Sequence, residues 1–287
     1  MDTNELLKKV RKIEIKTKGL SKQVFSGEYH SAFKGRGMAF SEVRNYIPGD
    51  EIRTIDWNVT ARFNQPFVKV FEEERELTVM LLIDISGSES FGSDELLKRE
   101  FIAEIGAVLA FSATQNNDKI GALLFSDQIE LYIPPKKGRK HILRIIRELI
   151  EFKPKSNKTD IGKIVRHFNN LIKKRAIAFL ISDFIGNNFE NALKITSKKH
   201  DLIALRIYDQ REKELTDIGL SKFIDSETGK EEWINTGSKR VREIYKQNAL
   251  SREHEVLEIF KKSKVDHANI ELQSGYIKPL MNLFKKR

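Results

Sequence analysis

The 287-residue chain contains no cysteine. That absence excludes a disulfide scaffold, a zinc ribbon, an iron–sulfur cluster and thiol catalysis, and it fits a reducing compartment. Long apolar runs are missing too. Ile105 to Phe111 and Ala176 to Ile181 are among the longest, far short of the roughly 18 residues a membrane span needs. The opening MDTNELLKKVRKIEIKTKG lacks the apolar centre of a signal peptide. A cytoplasmic protein without a membrane span is expected. No Gly-x-Ser-x-Gly elbow occurs, and Gly35 and Gly37 are not followed by the Gly-Lys-Ser/Thr of a phosphate loop. The six histidines are scattered, with no two placed to share a metal on one helix.

Hydrophobic residues make up 40% of the chain and charged ones 32%, a balance that suits a soluble globular protein and argues against disorder. At ~150 residues per domain, one large domain or two smaller ones are expected. The net charge of +10 is unevenly placed. Pro134 to Arg175 holds 14 Lys and Arg against 3 Asp and Glu, so the rest of the chain is close to neutral. Such a tract meets nucleic acid, an anionic surface or an acidic protein, or is a solvated helix face. Only Phe152 and Phe168 among its apolar residues are bare aromatic rings, so stacking platforms for single strands are lacking, and nucleic-acid binding is not the favoured reading.

Residues 1–75 read as an N-terminal subdomain packed on the rest. They combine a short amphipathic helix at Leu6 to Ile15, a Gly-rich turn region, a Pro48-Gly49-Asp50 turn and a strand from Phe67 to Phe71. Residues 76–287 then alternate strands and helices. LTVMLLID, Leu77 to Asp84, is a continuous apolar run of the kind buried on both faces of a sheet. Further strands are expected at 119–125, 128–133, 176–183, 201–208 and 267–272. Helices are expected at 94–115, 138–152, 160–175, 189–199, 240–262 and 276–284. A hairpin insertion falls near 221–236, around Glu227-Thr228-Gly229. The alternation implies an α/β fold with a mostly parallel sheet and helices on both faces. Ligands of such sheets sit beyond the carboxyl ends of the strands.

Two of those ends carry chemistry. After the first strand come Asp84, Ser86 and Ser88 at spacing two, all hard oxygen donors suited to magnesium or manganese. Asp183 closes another strand and should reach the same edge. Thr159 precedes a helix, where its hydroxyl either caps the helix or turns to the ion. Each residue alone also reads as an ordinary turn or cap residue.

Asp-x-Ser-x-Ser, a distant Thr and an Asp after a strand together resemble the metal-ion-dependent adhesion site of von Willebrand factor A-like domains. The whole chain resembles one branch of these, domain-of-unknown-function family 58, associated with MoxR-type AAA+ ATPases. The stretches that carry the resemblance are GRGMAFSEVRNYIPGDEIRTIDWNVTAR, PFVKVFEEERELTVMLLIDISGS, LISDF and LMNLFKKR. It implies a von Willebrand factor A-like (Rossmann-like) fold. It also implies direct or water-mediated ion contacts from Ser86, Ser88 and Thr159, and coordinating waters held by Asp84 and Asp183. A sixth position would be left for a partner's carboxylate. The function implied is a non-enzymatic, metal-dependent protein-interaction module, with magnesium or manganese as cofactor and a MoxR-type AAA+ ATPase as partner, acting in assembly or maturation of protein complexes. Glu89 departs from the apolar residue common at that place; its carboxylate either fills the open position itself or faces solvent. A metal-dependent phosphoesterase using Asp84 and Asp183, and a basic-tract nucleic-acid binder, are the alternatives. Finally, Arg53, Asp56, Trp57 and Arg62 are expected to form a buried ion-pair network around the indole, or else a docking surface.

Overall fold

A computed structural model describes residues 10–14, 16–17, 38–73, 77–87, 95–186, 188–224 and 229–287. The chain divides into two compact units, residues 33–77 and the remainder. Helical residues at 10–17 belong to the larger unit, where Arg139 pairs with Glu14 at 2.5 Å and Lys16 with Glu104 at 2.5 Å. The smaller unit therefore starts near Phe33 rather than at the first residue.

In the smaller unit, β1 (Met38–Asn45) pairs antiparallel with β2 (Phe67–Glu73), with an irregularity between Phe40 and Glu42. Between them lies the short helix α1 (Trp57–Phe63). Asp56 is its N-cap: the carboxylate accepts from the Asn58 and Val59 amides and faces Lys69 at 3.5 Å. This corrects the expected network around the indole. Trp57 is 67% exposed, and Arg53 and Arg62 are exposed as well. Asp56 serves the helix terminus because its oxygens satisfy amides that have no intrahelical partner. The strong ion pair of this unit is instead Arg44–Asp50, bidentate at 2.7 Å on each arm.

The larger unit is built on a six-stranded sheet. Its strands are β3 (Thr78–Asp84), β4 (Lys119–Phe125), β5 (Ile129–Lys136), β6 (Ile177–Ser182), β7 (Asp201–Tyr208) and β10 (Asp266–Glu271). Their order is β10-β7-β6-β3-β4-β5. All neighbours run parallel except the β4–β5 pair. The helices are α2 (Glu95–Gln115), α3 (Arg139–Glu151), α4 (Ile161–Leu171), α5 (Glu190–Lys199), α6 (Lys239–Lys262) and α7 (Ile277–Lys285). Strands β8 (Leu220–Ile224) and β9 (Glu231–Asn235) form a separate antiparallel pair. This is the α/β class, a mostly parallel sheet with helices on both faces, expected from the sequence.

β3 shows why both faces are covered. Its residues from Val79 to Ile83 are fully buried. Met80 and Leu82 pack in a cluster with Phe168 of α4, Leu193 of α5 and Phe260 of α6. On the other face Leu81 and Ile83 lie by Gly106 of α2 and Leu149 of α3, and Phe179 of β6 meets Phe284 of α7 edge-on. Alternate side chains of one strand thus feed two cores.

Two boundaries differ from the sequence expectation. β5 extends through Pro134 and Pro135 to Lys136, which an edge strand tolerates because an outward amide is not needed there. α4 stops at Leu171 rather than near Arg175, because Lys199 donates to the carbonyls of Asn169 and Ile172 at 2.6 and 2.9 Å and ends the helix there.

His200, 1% exposed, accepts the Ala176 amide at Nδ1 (3.2 Å) and lies 4.7 Å from the Phe168 ring. Burial first, then the charges of Lys199 and Arg175, push its pKa down to about 4. The unfolded chain therefore binds the proton first, and stability falls as pH drops from about 6.5 toward 4. Between pH 7 and 5 this costs roughly 1–2 kcal/mol. Urea midpoints at both pH values should fall further for wild type than for His200→Asn. Equal slopes would remove His200 from the acid response.

Candidate functional site

The sheet order contains a switch point. From β3 the chain proceeds outward to β4 and β5, then returns to β6 on the other side of β3. The carboxyl ends of β3 and β6 are adjacent, and the chain leaves them in opposite directions along the sheet, the position where ligands of such sheets bind. Asp84 ends β3 and Asp183 directly follows β6.

Asp84 is 1% exposed. One oxygen accepts the Ser86 amide at 3.0 Å and the other the Ser182 hydroxyl at 2.7 Å. The Ser86 hydroxyl also hydrogen-bonds this carboxylate. Burial, and then the negative charge of Asp183, push the Asp84 pKa up to about 7; the three hydrogen bonds pull the other way. Two acids thus share a nearly dry corner with too little positive charge to balance them.

Asp183, 3% exposed, uses Oδ1 to accept the Ile185 amide at 2.9 Å. Its Oδ2 is buried and has no hydrogen-bond partner among the described residues. Phe184 helps fix this geometry. It adopts φ 58°, the left-handed region, which is rare for a bulky residue and costs about 1–2 kcal/mol. Its amide donates to Ser182 Oγ at 3.0 Å, and its ring meets Phe260 at 4.8 Å and Phe189 at 6.0 Å. Core packing thus holds the strained turn that carries Asp183.

Thr159 sits on the loop between α3 and α4. The Gly87 amide donates to the Asn157 carbonyl at 2.9 Å, which ties that loop to the exit of β3. The N-cap of α4 is Asp160, whose side chain accepts from the Lys163 amide at 2.8 Å. Thr159 is therefore not the cap, and its Oγ1 is buried with no hydrogen-bond partner among the described residues. Ser86 is fully buried in the same turn. Ser88 and Glu89 lie outside the described residues.

Buried polar groups without partners each cost roughly 1–3 kcal/mol. Of the twelve such side-chain atoms among the described residues, two, Thr159 Oγ1 and Asp183 Oδ2, belong to residues expected from the sequence to be oxygen donors. Such a donor set fits a small hard divalent cation. Among the described residues no group of three or more His, Asp or Glu side chains is gathered for a metal; this set is hydroxyl-rich instead.

Three neighbours escaped the sequence reading. Ser182 bridges Asp84 and the Phe184 amide; its only signal was a polar residue inside an apolar strand. Lys98 of α2, 2% exposed, pairs with Glu212 at 3.3 Å. Burial raises the Glu212 pKa, Lys98 opposes this, and the charge of Asp183 raises it further. Lys98 looks like any helix lysine in the sequence, and only the fold places it beneath the loop after β7.

A family model described as "Protein of unknown function DUF58" matches residues 42–255. An uncharacterized protein of Mycobacterium tuberculosis, Rv1480, is 29% identical over 232 residues, covering 80% of this chain and 73% of that protein. An uncharacterized Bacillus subtilis protein, YeaD, is 28% identical over 109 residues, covering 38% of this chain and 25% of that protein. Among solved structures, an aerotolerance-related membrane protein of Bacteroides fragilis superposes with TM-score 0.48 at 17% identity, over 74% of this chain and all of the other. The mussel byssus protein PTMP1, solved with a zinc-occupied MIDAS motif, gives TM-score 0.36 at 19% identity over 46% of this chain and 38% of the other. No helix among the described residues is long and apolar enough to cross a membrane.

Proposed function

The chain belongs to the DUF58 family, and we propose that it is a non-enzymatic protein-interaction module that docks partners through a divalent cation, magnesium or manganese, at the β3/β6 switch point. The observation that supports this reading is two buried oxygens without a partner among the described residues: Asp183 Oδ2, beside the buried Asp84, and Thr159 Oγ1, on the loop that Gly87 ties to the exit of β3. In the proposal Ser86, Ser88 and Thr159 offer hydroxyls to the cation. Asp84 and Asp183 supply the compensating charge and orient its waters. Asp84 suits that role because both its oxygens are already engaged by Ser86 and Ser182. The cation supplies a Lewis-acidic point that accepts a carboxylate oxygen from another protein.

A module of this kind needs no nucleophile or general base, and among the described residues the strand ends bring two carboxylates, Asp84 and Asp183, where a two-metal phosphoesterase needs more. The partner we propose, on the sequence resemblance, is a MoxR-type AAA+ ATPase in the cytoplasm, in assembly or maturation of protein complexes. The test is capture of the purified ATPase by this chain in magnesium, in EDTA, and with Asp84→Ala. Capture is expected in magnesium alone. Equal capture in all three conditions would sink the metal bridge, and metal-dependent turnover of a phosphoester would sink the non-enzymatic assignment.

A further inference from the structure

We propose that the lysine-rich loop between α3 and α4 is a docking rim for an acidic protein segment, a run of Asp and Glu that lies along it while one carboxylate reaches the Asp84–Asp183 corner. The inference rests on the interaction reading above and extends it from one carboxylate to a partner of stated composition.

The fold divides the basic tract in two. Lys136, Lys137, Arg139 and Lys140 lie at the end of β5 and start of α3, beside the beginning of β4, since Lys136 pairs with Ile120. Lys173, Lys174 and Arg175 precede β6 and lie at that same end of the sheet. Residues 153–166 lie at the other end, with the candidate site. They hold Lys153, Lys155, Lys158, Lys163 and Arg166 against Asp160 alone. These five cations are exposed, and Lys153, Lys155 and Lys158 enter no ion pair among the described residues.

The rim is also held in place. Glu130 Oε1 accepts the Ser126 hydroxyl at 2.7 Å and the Lys155 and Ser156 amides at 3.2 and 3.3 Å. Gly87 ties Asn157, and Asp160 is engaged in capping α4. Glu130 and Asp160 are thus engaged with the loop itself, and the lysines project from a fixed backbone, which lowers the ordering cost of binding.

Across the switch point the loop after β7 is close to balanced: Glu212 pairs with Lys98, Glu214 with Lys246 and Asp217 with Arg242. An acidic segment is drawn to the α3–α4 side, where residues 153–166 hold five cations against one acid. Single exposed pairs are weak, but several together steer and hold a partner of opposite charge. A nucleic acid would want aromatic platforms as well, and 153–166 contains none.

The test uses the full chain and a fluorescent octa-glutamate peptide, read by anisotropy in magnesium and in EDTA. Lys153→Glu/Lys155→Glu/Lys158→Glu is compared with Lys140→Glu/Lys173→Glu/Lys174→Glu, which changes net charge equally at the other end of the sheet. Circular dichroism checks that both variants fold. The rim variant is expected to lose roughly tenfold or more in affinity and the control about twofold or less. Equal losses would overturn the rim, as would a thymidine octanucleotide or phosphatidylserine vesicles binding more tightly than the peptide. If EDTA abolishes binding while the rim variant binds like wild type, the rim fails and the cation reading stands. If the rim variant alone loses binding and EDTA has no effect, the rim stands and the cation reading fails.

Discussion

Asp84→Asn is expected to make the protein more stable in the absence of divalent cations and indifferent to their addition. The Asp84 carboxyl is buried beside Asp183, and its pKa lies near 7, above the roughly 3.9 of an unfolded chain. The folded state then holds a proton that the unfolded chain has lost, so stability declines as pH rises from about 4 through 7. At pH 8 the charged form bears the full penalty. Replacement by the neutral amide should recover roughly 1–3 kcal/mol there and nothing near pH 4. A cation reverses the sign: with wild type at 100 times its dissociation constant, stability rises by about 2.7 kcal/mol, and the asparagine variant does not respond. Thermal melts at pH 8, with EDTA and with millimolar magnesium, read both effects. A variant less stable than wild type in EDTA, or equally raised by magnesium, contradicts this account. The Asp84 trend opposes that of His200 over much of the same pH range, so the wild-type profile without cations is flattened, and the single variants separate the two.

Phe260→Ala is expected to cost roughly 3–5 kcal/mol, the range for truncating a fully buried aromatic ring. Phe260 is 0% exposed, meets Phe184 edge-on and lies 5.2 Å from the His267 ring. Its loss also frees Phe184 to leave the left-handed conformation that sets Asp183. The magnesium response should therefore weaken more than it does for Leu193→Ala, a truncation in the same cluster at a residue outside the Phe184–Phe260 ring pair. Urea unfolding measures the first effect, and magnesium titration of the folded variants the second. Equal magnesium responses would uncouple the aromatic cluster from the site.

The strands were legible because continuous apolar runs such as Leu77 to Ile83 have one stable fate, burial on both faces. The polar strand ends were legible because Asp84, Ser86 and Asp183 close such runs, and a polar residue at the end of a buried strand stands out. The smaller unit was harder. Asp56, Trp57 and the two arginines look like a network in sequence, yet capping claimed the acid and left the indole exposed. The Thr159 hydroxyl had two readings until Asp160 took the cap. Composition gave the charge of the basic tract and nothing of its division between opposite ends of the sheet.

Local chemistry, written residue by residue, settled the fold class, the strand ends and the types of donor available, because periodicity and side-chain polarity act over a few residues. Which donors meet depended on strand order. Asp84 and Asp183 are 99 positions apart in number, and only the placement of β6 beside β3 joins them. Likewise Lys98 reaches Glu212, and Phe260 supports Phe184, through contacts whose energy comes from burial between distant segments. That energy exists only once the sheet has closed over both cores.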